Sequence, residues 1–355
     1  MVLKHIGDVD YVISVFEILL MWNAKLRLSI VSTLYRSEPY LKEFCARSVA
    51  AARSLVGEDF EVILVNDGSP DRSLDLAIDA VKSDDKIVLV DLARNFGHHK
   101  AMMTGLAHAR GDFIFLIDSD LEESPEWLLL FAKEMDASGC DVVSGVQEKR
   151  RGGLIEKYSG EFFYTIFRAL TGVNQPDNIL TARLMRRAYV DSLLSYRERE
   201  LNIGGIWSLV GFNQRTIPLI KLSNSPTTYS FLAKLNHLIN AVVSFSSAPL
   251  VITFYFGLFI SLGAVSYIVY LFLLKLFWSP PDGYTSIVAS IWLFSGLIIF
   301  FIGVQGIYIS KIFLEVKQRP YVTVRKVYTR ESITNEVAQV ESISSKEKYL
   351  DGDIA

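Results

Sequence analysis

Cysteine is scarce in this chain: its 355 residues include only two, Cys45 and Cys140. They lie far apart in the sequence and near no histidine cluster, so they form neither a disulfide framework nor the spacing of a zinc site. We expect both to be buried cytosolic thiols.

An excess of basic charge is also missing. Lys and Arg number 36 against 39 Asp and Glu, which gives a net charge of −3. Dedicated nucleic-acid binders carry a basic excess, so nucleic acid is excluded as a partner. Hydrophobic residues make up 50% of the chain and are concentrated after Pro249, which indicates membrane segments and not an unusually apolar core.

A leading apolar run of spanning length is absent as well. Residues 11–22, YVISVFEILLMW, are too short to cross a bilayer and lack the cationic front of a signal peptide. We treat residues 1–27 as an N-terminal extension. It is either an interfacial or oligomer-contacting helix, or the product of a start codon assigned too far upstream.

Five apolar, β-rich runs alternate with helical stretches from Leu28 onward. Their nearly continuous apolar character predicts strands buried on both faces, and the helical stretches between them suit crossover connections. Residues 28–224 therefore predict an α/β domain with a mostly parallel sheet, whose ligands bind beyond the carboxyl ends of the strands. Ser69-Pro70 and Ser124-Pro125 predict two helix starts. The runs are LSIVSTL (28–34), FEVILVN (60–66), KIVLVDL (86–92), DFIFLID (112–118) and CDVVSGV (140–146).

The composition changes after Asn224. Residues 225–247 have apolar side chains at helical spacing with polar ones between them, which predicts an amphipathic helix in the headgroup region of a membrane. Residues 249–274 and 286–309 are apolar and free of charge, and each is long enough to cross about 30 Å of hydrocarbon. The short link at 278–284 predicts a two-helix transmembrane hairpin over 248–311.

Basic residues flank this hairpin. By the positive-inside rule, both ends of the hairpin, and hence the large domain and both termini, are expected on the cytoplasmic side of an inner or plasma membrane. Residues 312–355 form the predicted cytoplasmic tail, disordered after about Thr329. The flanking basic residues are Lys234 before the hairpin and Lys311, Lys317, Arg319, Arg325 and Lys326 after it.

An acidic pair, Asp118-Ser119-Asp120, ends the fourth predicted strand. Residues two apart on an extended chain project to the same side, so both carboxylates can face one point. Magnesium is typically held by one or two carboxylates plus substrate phosphates. We therefore predict a Mg²⁺ or Mn²⁺ site at Asp118 and Asp120, with Glu122 as a further ligand or as a residue orienting water. The structural alternative is an acidic turn before a helix.

Two other strand ends carry polar motifs. Asp67 in VNDGS is placed to accept hydrogen bonds from a base or ribose, and Gly68 permits a tight turn. In RNFGHHK, Arg94, Lys100 and the free N–H groups of a helix start favour an anionic ligand. The adjacent histidines are expected to cap the helix or line the pocket, since neighbouring helical positions point in different directions.

Basic side chains follow the fifth strand and recur near residue 185. They are candidates for binding an acceptor phosphate beside the membrane, because Arg suits phosphate geometry, although a solvated surface explains them equally well. The first group consists of Lys149, Arg150, Arg151 and Lys157, to which we add Ser159, and the second of Arg183, Arg186 and Arg187.

Taken in order, these segments resemble the inverting GT-A glycosyltransferases that act on polyprenyl phosphates, such as dolichol-phosphate mannose synthase and the bactoprenol glucosyltransferases. The resemblance covers roughly residues 28–310. It is carried by SIVSTLYRSEPYL, EVILVNDGSPDRS, LARNFGHHKAMMTGLAHARGD, FLIDSDLEESPEW, ARLMRR and the apolar hairpin.

This resemblance implies roles for particular residues. Asp118 and Asp120 would lie near the donor phosphates and metal, and Arg183 would approach a phosphate. Glu122 stands where the family more often has Gln, and Gln147 falls where many relatives carry an Arg. The donor nucleotide would be bound by Tyr35, Glu38, Asp67, Arg94, Gly97, Lys100 and Ser119.

The expected activity is inverting, metal-dependent transfer of a sugar from a nucleotide sugar, UDP-hexose favoured, to polyprenyl phosphate at the cytoplasmic face of the membrane. Homo-oligomerisation is expected through the hairpin and the tail. Three alternatives stay open: transfer to another lipid such as diacylglycerol, polysaccharide synthesis, and a catalytically silent accessory protein. The second is disfavoured because Trp207 lacks the preceding Gln and Arg of a synthase Q-x-x-R-W segment.

Overall fold

The computed structural model describes residues 27–147, 169–171, 176, 178–199, 203–221, 239, 242–277 and 283–335. The five apolar runs form five strands: β1 (Leu28–Leu34), β2 (Phe60–Asn66), β3 (Ile87–Leu92), β4 (Phe113–Leu116) and β5 (Val142–Gln147). Strand β1 pairs in parallel with β2 and β4, and β2 with β3. Every residue of β1 and β2 is buried, because helices cover both faces of the sheet.

In the part of the chain that the structure describes, six helices flank this sheet: α1 (Leu41–Val56), α2 (Ser73–Ser83), α3 (His98–His108), α4 (Trp127–Ser138), α5 (Arg187–Leu194) and α6 (Ile203–Leu209). Alternate residues of β1 face opposite cores. Ile30 packs in the core formed with α1, α2 and α4, whereas Val31 packs in the core formed with α3, α5 and α6. The two-sided α/β architecture expected from the sequence is confirmed.

Two predicted helix starts are wrong. Helix α2 begins at Ser73 and α4 at Trp127, each later than the Ser-Pro pair that precedes it. The serine hydroxyls donate to nearby carboxylates instead of capping a helix: Ser69 donates to Asp71 and Ser124 to Glu126. Local acidic residues thus compete with the helix ends for these hydroxyls.

Three more strands complete an eight-stranded sheet: β6 (Ile179–Arg186), β7 (Gln214–Leu219) and β8 (Val324–Tyr328). The strand order is β7-β5-β6-β4-β1-β2-β3-β8. Strand β6 runs antiparallel between β4 and β5, and β8 runs antiparallel to β3. The remaining pairs are parallel, so the mostly parallel sheet is confirmed.

Strand β8 comes from the segment that sequence reasoning treated as a tail. It adds an edge strand to β3, and residues 330–335, predicted to be disordered, form a helical turn. The alternation of apolar residues in this segment allows it to pack on the sheet, with Val327 against one core and Tyr328 against the other. The disorder expected after about Thr329 is therefore wrong for residues 330–335.

Two long helices, α7 (Ala248–Phe277) and α8 (Tyr284–Val316), lie between β7 and β8 in the chain. They run antiparallel: the rings of Phe256 and Phe301 are 6.0 Å apart, and the Tyr308 hydroxyl donates to the Ser246 carbonyl at 2.7 Å. The beginning of α7 therefore lies beside the end of α8.

Within the described residues, one segment, the 24 residues Leu293–Val316, is long and apolar enough to cross a membrane, and the apolar stretch Ala248–Ile260 is shorter. The two-span hairpin therefore stays a prediction. Of the predicted interfacial helix at 225–247, the structure describes residues 239 and 242–247, and residues 242–245 are helical. The N-terminal extension lies outside the described residues except for Arg27.

Candidate active site

A pocket of about 250 Å³ opens at the carboxyl ends of β1 and β4. These neighbouring parallel strands deliver their following loops to one edge of the sheet, where ligands bind in such folds. The structure thereby brings together five residues singled out from the sequence: Tyr35, His98, Asp118, Ser119 and Asp120. The pocket is lined by Thr33, Tyr35, Arg36, Ser37, Tyr40, His98, Asp118, Ser119 and Asp120.

Asp118, which follows β4, faces His98 at the start of α3. The His98 Nε2 atom lies 3.3 Å from Asp118 Oδ1, and His98 Nδ1 lies 2.9 Å from the Thr33 hydroxyl. Burial favours the neutral form of each group, but their mutual attraction outweighs it, lowering the pKa of Asp118 and raising that of His98. Asp118 is therefore a carboxylate at neutral pH. His98 lines the pocket, which is one of the two roles predicted for the adjacent histidines.

Asp120 shapes the turn that follows it. Its Oδ1 accepts a hydrogen bond from the Glu122 backbone N–H at 3.0 Å. The intervening Leu121 has a φ of 58°, in the left-handed region that branched residues avoid. Burial, followed by the negative charge of Asp118, raises the pKa of Asp120. The two acidic side chains thus sit close enough to repel each other.

Glu122, the predicted third metal ligand, is paired with a lysine. The Lys221 ammonium lies 3.1 Å from Glu122 Oε2, and both side chains are mostly buried. Burial alone would lower the pKa of Lys221, but the charges of nearby carboxylates, Glu123 first, raise it. Sequence reasoning missed Lys221 because no motif surrounds it. It reaches the site because β7 pairs in parallel with β5 and ends at the same sheet edge.

A divalent cation fits the Asp118–Asp120 pair with help from a substrate. Asp118 Oδ1 is buried and has no hydrogen bond among the described residues beyond its ion-pair contact with His98. In the described part of the chain, no group of three or more His, Cys, Asp or Glu side chains forms a complete metal site. Two carboxylates supplemented by phosphate oxygens are, however, a usual magnesium environment.

Glu123 is a second residue that sequence reasoning left without a role. It is fully buried, and its two oxygens accept hydrogen bonds from the backbone N–H groups of Thr181 at 3.1 Å and Ala182 at 2.8 Å. Burial and the charge of Asp118 raise its pKa to about 8. Glu123 ties the acidic loop to β6, a long-range contact that no local pattern signals.

Arg183, predicted to contact a phosphate, lies inside the protein in this structure. It is fully buried, its Nη2 donates to the Leu180 carbonyl at 3.0 Å, and its guanidinium stacks on Trp207. Burial lowers the pKa of Arg183 to about 9. The structure places it on β6 opposite Leu116 of β4, beneath the acidic loop and outside the pocket wall.

The predicted nucleotide-binding loops hold each other. Asp67 is buried and accepts hydrogen bonds from the backbone N–H groups of Phe96 at 2.7 Å and Gly97 at 3.0 Å. Burial raises the pKa of Asp67 despite these bonds. Arg94 stacks on Phe96, and the Lys100 ammonium lies 5.6 Å from the centre of the Tyr321 ring. Asp67 therefore positions the 94–97 loop.

The 35–38 loop is anchored by hydrogen bonds to the loop after β2. The Glu38 carboxylate accepts from the Arg72 backbone N–H at 3.2 Å, and the Glu38 N–H donates to Asp71 at 3.1 Å. Asp71 also accepts from the hydroxyls of Ser69 and Ser73, and hydrogen bonding overcomes burial to lower its pKa to about 2. No sequence motif singled out Asp71.

Ser119, predicted to bind the nucleotide, joins the acidic motif to the end of β1. Its hydroxyl donates to the Thr33 carbonyl at 2.8 Å and lies 2.9 Å from the Ser37 hydroxyl. The first group of candidate acceptor-phosphate residues, by contrast, lies outside the described residues: Lys149, Arg150, Arg151, Lys157 and Ser159. In the second group, Arg186 donates to the Cys140 carbonyl and Arg187 to the Gly111 carbonyl.

An open α/β sheet with a D-x-D pair after a central strand is typical of glycosyltransferases of the GT-A fold. The Glycosyl transferase family 2 model matches residues 29–194. A Mycobacterium tuberculosis protein named as a glycosyltransferase is 44% identical over 318 residues, covering 89% of this chain and 93% of that protein. The uncharacterized glycosyltransferase YkcC of Bacillus subtilis is 32% identical over 85% of this chain and 94% of its own. The chain belongs to glycosyltransferase family 2.

One solved structure that resembles this chain is glucosyl-3-phosphoglycerate synthase from Mycobacterium tuberculosis, in complex with Mn²⁺ and UDP-glucose. It matches with a TM-score of 0.46 and 17% identity, covering 66% of this chain and 84% of the other.

Proposed function

We propose that this glycosyltransferase moves a sugar from a nucleotide sugar to polyprenyl phosphate at the cytoplasmic face of an inner or plasma membrane, with inversion at the anomeric carbon. The observation that carries the proposal is that one polypeptide joins the acidic pocket to long, exposed apolar helices. Strand β8 follows α8 and pairs with β3, so both ends of the helical pair are attached to the domain that holds the pocket.

The exposed apolar surface supports a lipid environment. Phe259 and Ile299 are 73% and 71% exposed, and a surface of this kind is covered by lipid or by protein in a stable assembly. The 24 residues Leu293–Val316 would rise about 36 Å as a helix, enough for about 30 Å of hydrocarbon. A lipid acceptor explains why a transferase carries such helices. The predicted homo-oligomer would use the same helices and the tail.

The pocket supports a nucleotide-sugar donor. Tyr35 presents a half-exposed ring on its wall, and such rings stack on nucleobases. We favour UDP over GDP because the C-terminal part of the chain resembles the bacterial glucosyltransferases. Asp118 and Asp120 would hold Mg²⁺ or Mn²⁺, which neutralises charge on a departing diphosphate when bound.

The chain's own residues then position and polarise the reactants. The ion pair with His98 keeps Asp118 ionised, and the turn after Asp120 fixes the second carboxylate. The attacking phosphate oxygen is already anionic at neutral pH, since the second pKa of a phosphate monoester is about 6. The reaction therefore requires no dedicated general base, and orientation with electrostatic stabilisation supplies the rate enhancement.

A lipid-transfer assay tests this function. The full chain, purified in detergent, is incubated with a panel of radiolabelled nucleotide sugars and either polyprenyl phosphate or diacylglycerol. We expect label in the polyprenyl phosphate fraction, highest with a UDP-hexose, and loss of transfer on chelation of divalent cations. Label only on diacylglycerol would refute the acceptor, and no label on either lipid would refute lipid glycosylation.

Replacing one carboxylate tests the site itself. Asp120→Asn should reduce transfer at least about a hundredfold, as loss of a key electrostatic group does, while the thermal unfolding midpoint stays close to that of the wild type. Asp75→Asn, at an exposed position in α2, is the matched control and should keep full activity. Full activity of Asp120→Asn at matched expression would contradict the metal site.

A further inference from the structure

We infer that β8 contributes to the donor site and that it positions the nucleotide-binding loops through Arg325. This inference rests on the proposed nucleotide-sugar donor and extends it to a segment outside the family-2 match, which ends at residue 194.

The first link is an ion pair with a buried carboxylate. Asp91 of β3 is fully buried, and Arg325 Nη1 lies 3.1 Å from its Oδ2. A buried carboxylate is costly unless it is paired and hydrogen-bonded. Arg325 Nη2 also donates to the Ala93 carbonyl at 2.7 Å, at the point where β3 gives way to the 94–97 loop. One guanidinium thus holds both the strand end and the loop that follows it.

The second link runs from Asp91 to the pocket wall. Asp91 Oδ1 accepts a hydrogen bond from the Asn66 side-chain amide at 2.8 Å. Asn66 Oδ1 accepts from the Ser69 backbone N–H at 3.2 Å, and the Ser69 hydroxyl accepts from the Arg36 N–H at 2.7 Å. Arg36 lines the pocket. An unbroken series of polar contacts therefore joins β8 to the candidate nucleotide site.

The residues just before β8 contact the same loop. The Thr323 carbonyl accepts a hydrogen bond from the Ala93 N–H at 2.9 Å, and the Tyr321 ring packs under the Lys100 ammonium. Tyr321 also contacts the apolar core that contains α3. The 93–100 segment, which carries His98 and is tied to Asp67, is therefore held near both of its ends, at Ala93 and at Lys100, by chain that follows α8.

Strand β8 follows both apolar helices in the chain, and this position gives its contact with β3 a functional consequence. The segment reaches β3 only after α7 and α8 have been traversed, so the donor site is complete only when the polypeptide has returned from the apolar helices. Arg325 touches neither carboxylate of the D-x-D pair. Its loss should therefore weaken nucleotide binding more than the chemical step.

Titration calorimetry on the full chain in detergent tests the inference, with UDP and GDP as probes in the presence of Mn²⁺. Arg325→Met should weaken binding of the preferred nucleotide roughly tenfold, a coupling of ordinary size between linked sites. In the transfer assay, its donor KM should rise by a similar factor while kcat changes less than threefold. Arg325→Lys should recover part of the affinity. Arg330→Met, exposed in the turn after β8, is the matched control.

A double-mutant comparison separates positioning from folding. Asp91→Asn combined with Arg325→Met leaves no unpaired buried charge, so its loss of affinity should be smaller than the sum of the two single losses, the remainder coming from the Arg325 bond to the Ala93 carbonyl. Additive losses, or equal nucleotide affinity in Arg325→Met and the wild type, would overturn the inference while leaving the proposed function intact. A wild-type protein that binds no nucleotide would overturn both.

Discussion

At the residue scale, two basic side chains pair with the acidic cluster. His98 pairs with Asp118, and Lys221 pairs with Glu122. Glu122 is thereby engaged by an ammonium group, whereas Asp118 and Asp120 line the pocket.

Lys221→Met should consequently tighten Mn²⁺ binding about tenfold in the absence of nucleotide. The substitution removes a positive charge near four carboxylates and releases Glu122. Interactions between charges a few ångströms apart near a protein surface are worth more than the roughly 1.4 kcal/mol that a tenfold change in metal affinity requires. Free Mn²⁺ measured by electron paramagnetic resonance reports the affinity. Lys82→Met, which breaks an exposed pair with Asp79, is the control. Unchanged or weaker binding in Lys221→Met would show that Lys221 does not oppose the metal.

Asp71 provides a pH-dependent prediction. Its pKa is lowered from 3.8 to about 2 in the folded protein, so its stabilising contribution is complete above pH 4 and is lost as the pH falls through 2. Asp71→Ala should lower the free energy of unfolding by about 1–2 kcal/mol at pH 7, from loss of its hydrogen bonds. Thermal unfolding from pH 7 to pH 2 should show the gap to wild type closing below pH 4. A gap that is as large at pH 2 as at pH 7 would rule out the carboxylate as its source.

At the element scale, the loop after β2 and the 94–97 loop, both predicted to bind the donor nucleotide, lie in close contact through their backbones. Gly68 has a φ of 59°, and a Cβ added there would lie 2.4 Å from the Asn95 nitrogen. Gly57, at the end of α1, has a similar φ of 64° but nothing within 4 Å of an added Cβ. The two positions therefore separate conformational strain from steric contact.

Gly57→Ala should cost about 1–3 kcal/mol of stability, because the backbone of Gly57 (φ 64°, ψ −123°) lies in a region that residues with a Cβ rarely adopt. Gly68→Ala should cost more, and it should also reduce nucleotide affinity, because the 94–97 loop has to move away from the added methyl group. Chemical denaturation and calorimetry on both variants measure the two effects. Equal losses of stability with unchanged nucleotide binding would mean that the close approach of the loops is unimportant for the site.

At the scale of the whole molecule, the chain returns to the sheet beside β3 after α8. This return constrains how α7 and α8 can cross a membrane. Because β7 and β8 belong to one sheet, the start of α7 and the end of α8 must lie on the same side of any membrane that the pair crosses. A two-span hairpin satisfies this condition, and a single span does not. The apolar, exposed surface of both helices is consistent with the hairpin expected from sequence.

Cysteine accessibility tests the hairpin. In a Cys45→Ala/Cys140→Ala background, which removes two buried thiols, Gly283→Cys should react with a membrane-impermeant maleimide added outside intact cells. Arg330→Cys should react only after the cells are opened. Labelling of both positions from the same side would contradict the two-span arrangement.

Local patterns together with the family resemblance located most of the fold and about half of the pocket. The five apolar runs became β1 to β5 because strands buried on both faces must be continuously apolar. Asp118, Ser119, Asp120 and Tyr35 reached the pocket because parallel strands end at one sheet edge. Lys221, Glu123, Asp71 and Arg325 had no local signal. Their hydrogen-bond and ion-pair partners lie between 33 and 234 positions away in the chain. The exceptions are the bonds that Asp71 accepts from Ser69 and Ser73.

The amino-acid sequence by itself determined the α/β domain, the acidic motif after β4 and the apolar segments after Pro249, since each depends on composition and spacing over a few residues. Tertiary structure alone decided that Arg183 is buried, that Glu122 is paired with Lys221, and that the segment after α8 rejoins the sheet at β3. Those outcomes depend on which strands lie side by side. Strand order is a property of the packed sheet, because pairing is selected by contacts between segments that are remote in the chain.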